Sequence, residues 1–476
     1  MTDDDTKPGD DQTRRVSGFT NMIEVQFERG TRLKVEAGPG GACAFRSQED
    51  AFSVDDLNAF LLEHKCTKAE QPYDESPEYI AETEHLALRE GVEAPNLSGL
   101  YVLHFPKGSD ADKIAKRLRD YPRVKHAAAL PLTKFACVRG PQITDPLLFP
   151  NRGDHQWYID HCKINKAWDL GYTGKGVVIA DLDTGFQTHH PDLEGRFNLD
   201  RAFNTLTCNN NLSVSGRNLR HGTKVAGQVG AAADGNGIVG VAHNAELWPI
   251  EVGSRDPMLT VDPREWVKGM RQVIKSMLDD GRRVVILIEG QTQNNGNITQ
   301  IWMIRNAVLA AIAHGAVVCV AAGNGKRNVS EADCSPEPCH GEIFEPVGII
   351  VGATDIDDLP FEEGTQGTNF GDAVTVSAPG DPRHDLTCDA DLTSDFPYTP
   401  EFGATSGAAA KVAGAAALML QANPKLRHVD VEQIFRSTGT PITSLPLGRL
   451  LDCKAAVLMA KNFVTEAVER EPVAAD

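Results

Sequence analysis

The sequence predicts an α/β protein, a doubly wound, mostly parallel sheet with helices on both faces, preceded by a small α+β domain. Two strand runs carry the first part of this reading. Val284-Val285-Ile286-Leu287-Ile288 and Ala316-Val317-Val318-Cys319-Val320 are continuously apolar, as strands covered on both faces are. Helix patterns separate and precede them. Asp262 caps a helix with Pro263 in its first turn, an apolar face of Trp266, Met270, Val273, Ile274 and Met277, and a stop at Gly281. A second runs from Ile298 to His314 and ends at Gly315. Fully apolar strands alternating with helices imply a parallel sheet with helices on each side. The third observation is a separate strand–helix–strand pattern at the N-terminal end.

Taken in order, residues 1–20 are acidic and polar without apolar periodicity, and are expected to be disordered. Ile23-Glu24-Val25-Gln26-Phe27 and Arg32-Leu33-Lys34-Val35 alternate around Arg29-Gly30 and read as a hairpin. Ser53 is expected to cap a helix through Asp55 to Leu62. A charged stretch near residues 67 to 95 follows. Leu100 to Phe105 reads as a strand, Asp110 to Asp120 as a helix with Ile114, Ala115 and Leu118 on one face, and Val124 to Leu130 as a returning strand. These define an α+β domain over 21–134. Pro141, Pro146 and Pro150 mark a linker over 135–154. The main domain spans 155–462. It contains Val178 to Asp183 as a buried strand ending in a carboxylate, Cys208 to Asn218 as a polar loop, Glu246 to Val252 as a strand, and Val429 to Ser437 as a helix. Residues 463–476 form a charged tail.

Lys and Arg number 47 against 66 Asp and Glu, a net charge of −19, which argues against nucleic acid and anionic membranes as partners. No apolar run is long enough to span a bilayer: Ala307 to Gly323 is broken by His314-Gly315, and the helix after Ser406 by Lys411. Met1-Thr2-Asp3-Asp4-Asp5 is acidic where a secretory signal is basic and then apolar. Synthesis in the cytoplasm is expected, with an extracellular location only by a signal-independent route. The ten cysteines are scattered without CxxC pairs, so reduced thiols are expected, with Cys334 and Cys339 able to close a small loop.

Chemistry concentrates at three distant points. Glu401-Phe402-Gly403-Ala404-Thr405-Ser406-Gly407 sets a hydroxyl at the mouth of a small-residue helix, where free N–H groups and partial positive charge suit an oxyanion. Arg220-His221-Gly222-Thr223 opens a second small-residue helix with an imidazole, and Asp183-Thr184-Gly185 ends a strand with a carboxylate. A nucleophile needs a base, and the base an orienting group. Taken alone, the Ser406 helix reads as a buried Ala/Gly helix; the three together do not.

Those segments, in the order Asp, His, Ser and joined by His190-Pro191-Asp192-Leu193, Val225-Ala226-Gly227, Ala321-Ala322-Gly323-Asn324 and Asn369-Phe370-Gly371, resemble the subtilisin-like serine proteases, the subtilase family, over about residues 155 to 460. The resemblance implies Ser406 as nucleophile, His221 as general base, Asp183 as its orienting carboxylate and Asn324 as oxyanion donor. It implies Ile288, Glu289, Gly290 and Gly323 as substrate-binding positions, and protein or peptide as substrate. The N-terminal α+β domain looks like the propeptide domain such proteases carry, hence a zymogen, with that domain as a partner of the protease. The family often binds calcium, but no D-x-[DN]-x-[DN]-G run is present, and no metal or other cofactor is expected.

Some positions depart from the family pattern. Lys224 stands where a second histidine is usual, and Ala404, Gly407, Ala410 and Lys411 replace glycine, methionine, proline and histidine. Two lysines on small-residue helices are costly unless paired, so Lys224 or Lys411 is expected to meet Asp181 or another buried carboxylate. Asp181 faces the same side of its strand as Asp183. Ile288-Glu289-Gly290 stands where Ser-Leu-Gly is common, and Glu289 would put a carboxylate in a substrate pocket or else sit solvated or salt-bridged. The competing readings are a regulatory protein on the same fold, degenerate around Ser406, and an α/β-hydrolase esterase. The latter is disfavoured because Ser406 lacks a glycine two residues before it.

Overall fold

A computed structural model describes residues 19–38, 41–48, 52–135, 156–212, 220–235, 237–253, 260–330, 344–394 and 396–464. Residues 1–18 of the expected disordered N-terminus, nearly all of the 135–154 linker, half of the Cys208–Asn218 loop, Cys334 with Cys339, and the charged tail from 465 on lie outside them; Phe19 and Thr20, expected to be disordered, instead open a strand because its edges are paired. A nine-stranded sheet organises the main domain. Its order is Thr440–Pro441, Arg449–Leu450, Val374–Pro379, Ile349–Thr354, Val317–Ala321, Val284–Ile288, Val178–Asp183, Glu246–Glu251, Phe203–Asn204. Only Thr440–Pro441 runs antiparallel to its neighbour, so the sheet is mostly parallel, as the apolar strand runs predict.

Alternation along the strands divides the core. Val178, Ala180, Leu182, Val284, Ile286 and Ile288 face Trp266, Met270 and Val308 on the helices Pro263–Asp280 and Trp302–Ala313. Ile179, Val285 and Leu287 face Val225, Val229, Ala408 and Val412 on the helices Arg220–Gly230 and Ala404–Ala422. The period of two therefore turns Asp181 and Asp183 toward the helices that carry His221 and Ser406. Every residue from Ala404 to Leu420 is buried, which the small side chains permit by letting that helix cross the sheet closely. Asp262 and Gly281 cap the Pro263 helix as predicted, the latter at φ 60°.

Val178–Asp183 lies between Val284–Ile288 and Glu246–Glu251, so the chain winds away from it in both directions. Crevices form where strand order reverses, beyond the carboxyl ends of the strands. Asp183 and Asn324 both stand there.

The N-terminal residues form an antiparallel sheet in the order Lys68–Glu70, Leu100–His104, Phe19–Phe27, Val124–Pro131. Helices Asp55–Glu63 and Ala111–Leu118 cover one face through Leu57, Phe60, Leu61, Ile114 and Leu118. The other face, with Met22, Leu100, Val102 and Leu130, packs into the main core. The expected hairpin at Arg29-Gly30 is not formed. Phe19–Phe27 is central and has both edges taken by Leu100–His104 and Val124–Pro131, so Leu33–Ala37 pairs instead with Cys43–Ser47. The charged stretch holds a helix, Pro77–Glu90, capped by Ser76 and Gly91 and packed on Trp302–Ala313.

The docking is polar as well as apolar. Glu24, 2% exposed, accepts the N–H groups of Trp302 and Met303 at 3.3 and 3.2 Å. Trp302–Ala313 has no side-chain cap of its own at Ile301, so a carboxylate from the N-terminal unit satisfies its first turn. Gln26 Oε1 accepts Trp302 Nε1 at 2.7 Å, and Tyr73 Oη donates to the Met303 carbonyl at 2.8 Å.

Candidate active site

The three predicted residues converge. His221 opens its helix and turns Nδ1 to the Asp183 carboxylate, 2.8 and 2.6 Å from its oxygens, while Nε2 lies 3.2 Å from Ser406 Oγ. Asp183 is held in turn by the N–H and hydroxyl of Thr184, at 2.5 and 3.2 Å. The imidazole packs edge-on against Phe402, ring centroids 5.4 Å apart. Asp183 and Ser406 are fully buried and His221 is 8% exposed. In this geometry the Nδ1–H belongs to Asp183 and Nε2 is the acceptor facing the hydroxyl.

Asn324 follows the strand Val317–Ala321. Its Oδ1 accepts the Thr405 N–H and hydroxyl at 3.2 and 2.8 Å, and its own N–H donates to Gln291 Oε1 at 2.9 Å. These contacts fix the amide plane, and Nδ2 is left buried without a partner. A buried N–H held next to a nucleophile and unspent is a donor waiting for an acceptor. Gly323, at φ 94°, makes the turn; a Cβ there would lie 2.6 Å from both the Asn295 carbonyl and Asn369 Nδ2.

Beyond Ile288 the chain continues as Gly290–Thr292, which pairs antiparallel with Thr133–Phe135. Thr133 also exchanges both backbone hydrogen bonds with Val261, at 3.0 and 2.8 Å, and its hydroxyl accepts Trp266 Nε1 at 2.8 Å. A strand from the end of the N-terminal unit thus lies between two edges beside the triad, where the sequence suggested the start of a linker.

Two substrate-binding expectations change. The Ile288 side chain lies in the core beneath the sheet, with Trp266 and Val308, and not in a substrate pocket. Glu289 neither enters a substrate pocket nor reaches solvent or a cation. It is fully buried and faces Asp181 and Asp183, because Leu287 stands opposite Asp181 and alternation returns Glu289 to the same face. Burial, reinforced by neighbouring carboxylates, pushes the Glu289 and Asp181 carboxyls well above their ordinary range.

The lysine expectation holds for Lys411, with a different acid. Its Nζ donates to Asp385 Oδ2 at 2.8 Å, Gln228 Oε1 at 3.1 Å and the Gly407 carbonyl at 3.2 Å, and lies 4.3 Å from the Tyr158 ring centroid. Lys411 and Asp385 are both fully buried. Gly407 leaves room for this network, since a Cβ there would stand 3.1 Å from Gln228 Oε1. Lys224 instead donates to the Glu401 carbonyl at 3.3 Å. Nothing in Asp381–Asp385 marks Asp385 as the partner in sequence. Ala404 takes a left-handed conformation, φ 53°, at the entry to the serine helix.

The subtilase family model matches residues 174–452. Among curated relatives, furin-like protease 2 of Drosophila melanogaster is 28% identical over 60% of this chain and 17% of its own, and furin of Bos taurus 27% identical over 69% and 42%. The chain thus spans less than half the length of these two relatives. Subtilisin BL of Lederbergia lenta is 29% identical over 61% of this chain and 93% of its own. Among solved structures, fervidolysin from Fervidobacterium pennivorans, a keratinolytic enzyme related to subtilisin, superposes with a TM-score of 0.59 at 18% identity, over 93% of this chain and 62% of that one. With the fold, the triad order and a family model covering more than half its length in agreement, this chain belongs to the subtilase family of serine proteases.

Proposed function

We propose that the protein is a serine endopeptidase that cleaves peptide bonds through an acyl-enzyme, and that it is made as a zymogen whose N-terminal unit occupies its own substrate cleft. The observation that carries the catalytic reading is the line Asp183–His221–Ser406 beside the unspent Asn324 Nδ2. Ser406 Oγ attacks the scissile carbonyl as its proton passes to His221 Nε2, and Asp183 holds the tautomer and stabilises the imidazolium. Asn324 Nδ2 and the N–H groups at the serine helix start receive the oxyanion. His221 then returns its proton to the leaving amine, and water repeats the sequence to release the acyl group.

The zymogen reading is supported by Thr133–Phe135, which uses the backbone donors and acceptors of Gly290–Thr292 and Val261 that an extended substrate would need. Protein or peptide is the substrate class, and the N-terminal unit is the first competitor for the site.

A fluorophosphonate probe tests the catalytic reading. Labelling of the wild type and its loss in Ser406→Ala are expected; an unlabelled, correctly folded wild type would favour a regulatory protein on this fold. Asn324→Ala should lower kcat by about 2.7 to 4 kcal/mol of barrier, a scale that comes from subtilisin's own donor rather than from this chain. N-terminal sequencing of wild type beside Ser406→Ala tests self-cleavage: new N-termini should appear only in the former.

A further inference from the structure

Asp181 and Glu289 take no part in the triad, yet one carboxyl oxygen of each and one of Asp183 lie within 4.8 Å of one another. Asp181 is 2% exposed and Glu289 and Asp183 are fully buried. Among the side chains of the described residues the two carboxyls have only each other as hydrogen-bond partners, and as two ionised acceptors they would leave all four oxygens unsatisfied. Two fully ionised carboxylates so placed against a third would also repel. Among the described residues, the elements packed on this face bring no cation to the pair; Arg220, which opens the histidine helix, pairs with Asp389 and Asp391. The histidine helix supplies His221, committed to Asp183, and Lys224, which donates to the Glu401 carbonyl. The serine helix supplies Lys411, committed to Asp385, and the adjoining strand supplies Cys319, a thiol that burial and the Glu289 carboxyl push up. Glu251 stands opposite Asp183 in register on the other neighbouring strand, adding a further acid.

A proton resolves the conflict, because a protonated carboxyl is a donor and its neighbour an acceptor. Both carboxyls lie against Asp183, and burial raises both above their ordinary range. We propose that Asp181 and Glu289 share one proton at neutral pH in a hydrogen bond between them, and that this pair holds Asp183 in place behind His221. Asp181 and Glu289 are then positioning residues, and their kinetic effect rests on the peptidase reading. When the pair loses the proton at alkaline pH, a new negative charge meets Asp183 and the support fails. The sign follows from a folded-state affinity for the proton raised above the ordinary one. The contribution is fully present below the ordinary glutamate range and is lost as pH rises through the raised value.

The test uses the full chain. Infrared spectra of Ser406→Ala at neutral pH should show a protonated-carboxyl band that disappears in Ser406→Ala/Glu289→Gln. Glu289→Gln, whose amide donates at every pH, should raise the ratio of kcat/KM at alkaline to neutral pH by about tenfold over wild type, while Glu289→Ala lowers kcat/KM at both. Asp181→Asn should weaken activity while leaving the Glu289 band, shifted in frequency. Absence of the band at neutral pH, its appearance only after chelation of a metal ion, or an unchanged alkaline limb in Glu289→Gln would overturn the proposal. An inactive wild type that shows the band would overturn the peptidase reading and uphold the shared proton.

Discussion

Replacing Lys411 by methionine should cost about 3–5 kcal/mol of stability, the range for breaking one side of a buried ion pair. Two routes lead to that size. Without the ammonium, Asp385 remains a fully buried anion that has lost its charged partner. Alternatively Asp385 takes up a proton, which at pH 7 and an ordinary value of 3.8 costs about 4 kcal/mol. The pair already shows the strain of burial, which holds Lys411 below and Asp385 above their ordinary ranges despite their mutual attraction. Methionine keeps most of the lysine's volume, so little of the loss comes from packing. Asp385→Asn alone should also destabilise, by stranding the ammonium. The double substitution should lie within about 1.5 kcal/mol of the parent, because the charge left stranded in each single variant is gone. Urea unfolding of all four proteins on the Ser406→Ala background, which removes self-digestion, gives the cycle. A Lys411→Met cost below about 1 kcal/mol, or strictly additive costs, would refute the reasoning.

Ala404→Gly should stabilise by about 0.5 kcal/mol, since relief of the left-handed alanine slightly exceeds the entropy that glycine loses on folding; a loss above about 1 kcal/mol in the same assay would mean the Ala404 methyl packs for more than its strain. His428 is fully buried and held down to about 4 by desolvation, from an ordinary 6.5. A depressed value means the neutral ring's contribution is present above 6.5 and lost as pH falls toward 4. That loss amounts to about 3 kcal/mol. Thermal unfolding across that window should steepen in the parent and flatten in His428→Gln; equal slopes would remove His428 as the source.

Much of the site was legible because its chemistry is tied to local breaks in pattern. Asp183 ends an apolar strand, His221 and Ser406 each open a small-residue helix, and Asn324 follows an apolar run. Each therefore announces itself within a few residues. The rest depended on partners distant in sequence. Asp385 lies in a segment with no periodicity, and only the folded chain brings it under Gly407 and Lys411. Family position alone does not tell which face Glu289 takes; alternation counted from Leu287, which pairs with Asp181, decides it. The misread hairpin has the same origin: two alternating runs near Arg29-Gly30 satisfy the local rule, but a central strand with both edges occupied cannot also pair with its successor. Pro77–Glu90 was masked by charge, although Ser76, Pro77 and Gly91 are ordinary helix punctuation.

Glu24 has one more consequence. The two amide hydrogens it accepts belong to buried residues of the protease domain, so detaching the N-terminal unit leaves Trp302 and Met303 to find another acceptor or to fray. Maturation of such a molecule would trade a ready-made terminus for a less finished one. On the zymogen reading, removal of the N-terminal unit would take away the carboxylate that completes that helix.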